Sequence, residues 1–186
     1  SEYSANSCAW THCQQDDVAF FVALLDHLET QLCIDSDRIY AAGGSNGGMF
    51  TWELGQNPLS ASRLRAIAPI IGMPHRTYTD GPGREGELPA LSITSQLDPV
   101  SPPGGWGDMH FTTTSNGSDR YYYASASAIT ASWAQAHDCH VETQASLVAT
   151  PWDEVECRSY CAGGAGLPQV LDCRADLGHD YELSWA

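Results

Sequence analysis

Apolar positions recur at helical spacing over residues 16–33, where Val18, Phe21, Val22, Leu25, Leu28 and Leu32 share one face. Asp16 or Asp17 can cap that helix, and Asp35-Ser36-Asp37 ends it. Ile39, Tyr40, Ala41 and Ala42 then suit a buried strand, and Met49, Phe50, Trp52 and Leu54 can pack a second helix behind it. Residues 66–72 read as another buried strand, in which Pro69 has to sit where the ladder needs no donor. Stretch 74–88 is Gly, Pro and charge, hence loop, and a third strand over 90–95 stops at Asp98-Pro99. Residues 101–119 are loop-like, and Tyr122, Ala126, Ile129 and Trp133 line one face of a helix over about 121–137. Residues 144–149 and 169–173 are strand candidates separated by a Cys- and Gly-rich segment. Strands alternating with helices predict an α/β architecture: a mostly parallel sheet with flanking helices and reactive loops at the carboxyl ends of the strands.

The balance of charge narrows the partners. With 23 acidic and 8 basic side chains the formal net charge is −15, which argues against nucleic acid and anionic membrane surfaces. No run reaches the length of a membrane-spanning helix. At 186 residues and 42% hydrophobic, the chain can bury a core and fits one domain over 1–186. Seven cysteines, at 8, 13, 33, 139, 157, 161 and 173, are many for a cytosolic chain. Although His137 and His140 lie beside Cys139, the paired spacings of a zinc site are absent, so disulfides in an oxidising, extracellular setting are expected. The helix ending at Cys139 feeds the segment carrying Cys157, Cys161 and Cys173, so Cys139 should pair with one of those three. An odd count leaves one thiol over. Asn116-Gly117-Ser118 matches a glycosylation acceptor in a polar stretch.

The segment RIYAAGGSNGGMF carries a G-x-S-x-G pattern between a strand and a helix, with Ser45 at its centre. That pattern marks a sharp turn that lifts a serine hydroxyl above the end of a sheet, and glycines flank the serine where side chains would collide. A serine hydroxyl needs an imidazole to take its proton, and the imidazole needs a carboxylate to hold its tautomer. In such folds the partners follow as Ser, Asp or Glu, then His. Asp98, just past a strand end and stiffened by Pro99 and Pro102-Pro103, suits the acid. Asp80 and Asp108 are rivals without a strand leading into them. Among the later histidines, His137 and His140 end a helix, His110 sits in an aromatic irregular stretch, and His179 follows a strand candidate and Gly178. His179 is the preferred base. Trp106, Phe111 and Tyr121 to Tyr123 could line an aromatic acyl pocket, or serve as packing. This chemistry needs no metal and no organic cofactor.

GGSNGGMF, LDPVSPPGG and LGHDYE together resemble the signature segments of secreted α/β-hydrolase esterases related to polyhydroxybutyrate depolymerases and feruloyl or acetylxylan esterases. Asp16-Asp17 and the run WAQAHDC from Trp133 to Cys139 are similar to further family segments. The resemblance implies Ser45 as nucleophile, Asp98 as acid, His179 as base and the Asn46 N–H as one oxyanion donor. It also implies an ester of plant cell-wall polysaccharide as substrate, with a polyester of hydroxy acids as the alternative. Asp180-Tyr181-Glu182 stands where the family usually has an aromatic residue and a proline-glycine. The family's early strands and H-G-x-type oxyanion loop have no counterpart, so residues 1–186 are expected to be a partial catalytic domain. In that expectation the strand before Ser45 becomes an exposed edge, with weak activity and a tendency to associate.

Overall fold

The computed structural model describes residues 16–74, 81–83, 88–104, 110–113, 120–139, 146–148, 150, 155–161, 170–176 and 178–180. Asp16 opens α1 (Asp17–Gln31) by accepting the Ala19 N–H at 2.9 Å. Of its predicted apolar face, Val18 is buried and Phe21 packs partly on the core, but Leu32 is exposed, as are Phe20 and Leu24 off that face. Charge ties this helix down: Arg63 reaches Asp26 at 2.6 Å and Glu29 at 2.9 Å. Arg63 lies just past α3 (Pro58–Ala61), a short turn that follows α2 (Asn46–Gln56).

Among the described residues six strands form the main sheet, in the order β1 (Tyr40–Gly44), β2 (Ala66–Ile70), β3 (Ala90–Ser95), β8 (Val170–Ala175), β7 (Val155–Ser159) and β6 (Ser146–Val148). The first four are parallel, and the β8–β7 and β7–β6 pairs are antiparallel. With its flanking helices this is an α/β fold on a mixed, mostly parallel sheet. The carboxyl ends of β1, β3 and β8 therefore open on the same side, which is where connecting loops can meet.

Several expectations need correction. The strand before Ser45 is not buried throughout: Tyr40 is 64% exposed and Ala41 is buried, whereas the place of β1 at an edge of the sheet, among the described residues, is the one expected. Pro69 does not avoid the ladder. Ile67 and Ile71 donate to Pro89 and Ile93 on the β3 side, so the intervening residue in that row is a proline with no N–H to give. The β2–β3 register is accordingly interrupted, whereas β1–β2 runs without a break. Within the stretch expected as loop, His110–Thr113 forms β4, which pairs antiparallel with β5 (Arg120–Tyr123). Tyr122 thus belongs to a strand rather than to the following helix, in keeping with the β preference of consecutive tyrosines. That helix, α4 (Ala126–Ala136), starts where the Ser125 hydroxyl accepts the Ala128 N–H. β7, hidden in the Cys-rich segment, was not expected as a strand.

Cys139 joins Cys161, and Cys157 joins its cross-strand neighbour Cys173. Cys33 carries a free, exposed thiol, while Cys8 and Cys13 lie outside the described residues. Disulfides of this kind persist in oxidising compartments and fit a secreted protein. Among the described residues no helix is long and apolar enough to cross a membrane.

The core is centred on two buried indoles, Trp52 from α2 and Trp133 from α4, packed edge to face with centroids 5.3 Å apart. Trp133 Nε1 donates to the Leu88 carbonyl at 2.7 Å, and His137 Nε2 lies 3.1 Å from the same oxygen. His137 is thus a buried residue at the end of α4 whose Nε2 faces a carbonyl of the segment before β3. A Trp133→Ala substitution removes the edge-to-face contact with Trp52 and one of the two hydrogen-bond partners of the Leu88 carbonyl, and leaves a cavity in the core. It is expected to cost about 3–5 kcal/mol, read as a lower urea midpoint with the slope unchanged.

Candidate active site

Ser45 stands between β1 and α2 with φ 54° and ψ −120°, a conformation that side-chain-bearing residues rarely adopt. A serine at this position usually spends its hydroxyl capping the helix. Here the hydroxyl makes no capping bond, and instead lies 2.8 Å from His179 Nε2. The backbone is held by the Ser45 N–H, which donates to the Ile70 carbonyl at 2.9 Å, and by the Ser45 carbonyl, which accepts from Met49.

Crowding explains the turn, although not at every glycine the motif suggests. A Cβ on Gly43 would collide with the Gly47 carbonyl, and one on Gly48 would lie 2.7 Å from the Ile70 oxygen. At Gly47 it would meet nothing within 4 Å, so that glycine is not demanded by contact. Gly178, just before His179, is equally unconfined. The tightest position lies in another segment. A Cβ on Gly72 would run into the Ser45 carbonyl and stand 2.8 Å from the Met49 nitrogen. Ile71 just before it has φ 41°, unusual for a β-branched residue, and is held there by donating to Ile93 at 2.7 Å. Sequence reading missed both residues.

Asp98 follows β3 and is buried, its side chain fully enclosed. Its Oδ1 accepts from the Val100 N–H at 2.7 Å and the Ser101 N–H at 2.9 Å. His179 Nδ1 lies 2.9 Å from Oδ1 and 2.8 Å from Oδ2. A carboxylate only accepts, so Nδ1 carries the proton and donates, which leaves the Nε2 lone pair for the Ser45 hydroxyl. The imidazole is partly open to solvent, with 21% of its side chain exposed. Asn46 is the first residue of α2 and is exposed. At such a position the backbone N–H has no intrahelical acceptor and sits at the positive end of the helix dipole.

Trp106, the rival acids Asp80 and Asp108, His140 and the Asn116-Gly117-Ser118 acceptor lie outside the described residues. Phe111 and Tyr121 stand on β4 and β5, in register as Phe111↔Tyr122 and Thr112↔Tyr121, and His110 is on β4 rather than in irregular chain. Among the described residues no cluster of His, Cys, Asp and Glu could hold a metal ion.

No family model matches the chain. Among curated proteins, it is similar to one named probable feruloyl esterase C from Aspergillus niger, with 28% identity over 96 residues, which is 52% of this chain and 34% of that protein. It is also similar to feruloyl esterase C from Emericella nidulans, with 28% identity over 110 residues, or 59% of this chain and 39% of the relative. The chain thus spans well under half the length of the curated relatives it matches. Distant similarity of this kind suggests a carboxylic ester hydrolase.

The fit of Gly72 beneath Ser45 yields a prediction about packing. Gly72→Ala should destabilise the fold by about 1–3 kcal/mol, because the elbow cannot move without breaking the Ser45–Ile70 bond. Gly47→Ala, with open space around it, should shift the thermal midpoint far less when the two variants are melted side by side.

Proposed function

We propose that this chain cleaves carboxylic esters through an acyl-enzyme, with Ser45 as nucleophile, His179 as general base and acid, and Asp98 as the carboxylate that orients the imidazole. The observation that carries this reading is the hydrogen-bonded line from Ser45 Oγ through His179 to the enclosed Asp98 carboxylate. As Oγ attacks the ester carbonyl, its proton passes to Nε2 and the imidazolium is stabilised by Asp98. The Asn46 N–H supplies one hydrogen bond to the developing oxyanion. Collapse of the tetrahedral intermediate expels the alcohol, which takes the proton from Nε2, and water repeats the sequence to release the acid. Every proton in the route is carried by the chain's own groups, so the chemistry calls for neither metal nor organic cofactor.

Feruloyl esters on plant cell-wall polysaccharide are the proposed substrates, supported by the names of the two relatives. Secretion is the proposed setting, supported by the two disulfides. A fluorophosphonate probe should label Ser45 in the native chain and fail to label Ser45→Ala. Ser45→Ala and His179→Ala should each lower kcat on the order of 10⁶-fold, and Asp98→Asn about 10⁴-fold. Asp80→Asn and Asp108→Asn, assayed in parallel, should leave turnover near that of the native chain. On a panel of methyl ferulate, acetylxylan and a hydroxybutyrate oligomer, methyl ferulate should give the highest kcat/KM. An unlabelled Ser45 in folded protein would sink the nucleophile assignment, and preference for the oligomer would move the substrate to polyesters.

A further inference from the structure

The strand that leads to His179 carries two charged side chains in its interior. Asp172 and Arg174 of β8 are 0% and 2% exposed. Two positions apart on a strand they share a face, and they form a two-pronged pair, Nε to Oδ1 at 2.9 Å and Nη2 to Oδ2 at 3.0 Å. Burial pushes the Asp172 carboxyl above the ordinary carboxylate range, while Arg174 pulls it back down. Arg158, Glu156 and Tyr160 also lie within electrostatic reach of Asp172. Enclosing an ion pair is costly, and well-packed apolar residues often serve a core as well or better. Stability alone is therefore a poor reason for this pair.

Its geometry offers a better one. The guanidinium turns Nη1 to the Gly104 carbonyl at 3.1 Å. Gly104, with φ 70°, ends a described loop that begins at Asp98 and is tied at several points. Asp98 itself takes the Val100 and Ser101 N–H groups, the Ser101 hydroxyl accepts from Met73 at 3.3 Å, and the Pro103 carbonyl accepts from Ala126 at the start of α4. The Arg174 contact joins this loop to the strand that continues toward His179 through a side chain, beside the Gln96 N–H that donates to the Ala175 carbonyl at 3.0 Å just ahead of Asp98. A lysine could not serve both ends, because one ammonium lacks the planar fork that grips a carboxylate with two N–H groups and still reaches a third acceptor.

We propose that Arg174 is a positioning residue: neutralised by Asp172, it holds the Gly104 carbonyl and so sets the Asp98 loop against the strand that delivers His179. The inference rests on the reading of Ser45, His179 and Asp98 given under Proposed function.

The test uses the full chain with Arg174→Lys and with the paired replacement Asp172→Leu/Arg174→Met, which removes both charges while keeping apolar volume. Melting curves come first, then steady-state kinetics on methyl ferulate. Folded variants should keep KM within about twofold and lose about 10²-fold in kcat, the scale expected for a misplacement near an ångström. A folded paired variant with native kcat, or one whose loss appears in KM rather than in kcat, overturns the proposal. Loss of folding in both variants overturns it too, since the pair would then be a core element only. Ser45→Ala with native turnover would instead overturn the reading of the site, and the positioning role would fall with it.

Discussion

A carboxylate shut away from water must find its hydrogen bonds inside the protein, and much of this structure is arranged around how Asp98 finds them. Two come from backbone N–H groups of its own loop and the rest from the His179 imidazole. Because the backbone donors are fixed by the turn, the carboxylate cannot rotate to follow the histidine. The histidine must come to it. That requirement sets the path of the chain after β8, and through Nε2 it sets where the Ser45 hydroxyl has to be.

The serine meets this demand through steric confinement. Its strained backbone is wedged between Gly43 and Gly48 on its own segment and Gly72 on the neighbouring one, with the Ile70 carbonyl taking its N–H. Strain at Ile71 accompanies it, since only a turn there brings Gly72 beneath the elbow. The two unusual conformations are thus one feature shared by adjacent strands.

Motif and strand ends, which are read from neighbouring residues, together with chain order singled out Ser45, Asp98 and His179 as candidates, and the structure brings the three into one hydrogen-bonded line. The strands over 90–95 and near 40–44, and the helix capped by Asp16, were legible from neighbouring residues as well. What escaped depends on distant neighbours. Gly72 looks like any glycine after a strand until the elbow is packed on it. Asp172 and Arg174 interrupt an otherwise apolar strand, which is a readable signal, yet their mutual grip and the reach to Gly104 belong to the tertiary fold. β7 was masked by Glu156, Cys157 and Arg158, and the helical spacing of Tyr122 from Ala126, Ile129 and Trp133 hid β5. Pro69 shows the limit of propensity rules: interior strands can lose one ladder bond when the surrounding sheet holds them.

Ser45 and His179 are separated by 134 positions, and Asp98 and His179 by 81, so the hydrogen-bonded line closes very long loops of chain. Cys139–Cys161 and Cys157–Cys173 offer a shorter covalent route between the acid and the base. Entropy gives them little credit for that, since halving a flexible loop is worth only about 0.6 kcal/mol. Their effect on this region is one of leverage. Cys173 is anchored to β7 while its neighbours Asp172 and Arg174 face the opposite side of the sheet, so the strand is gripped from both faces just before the chain departs for His179. A lever is only as accurate as its fulcrum, and here the fulcrum is covalent.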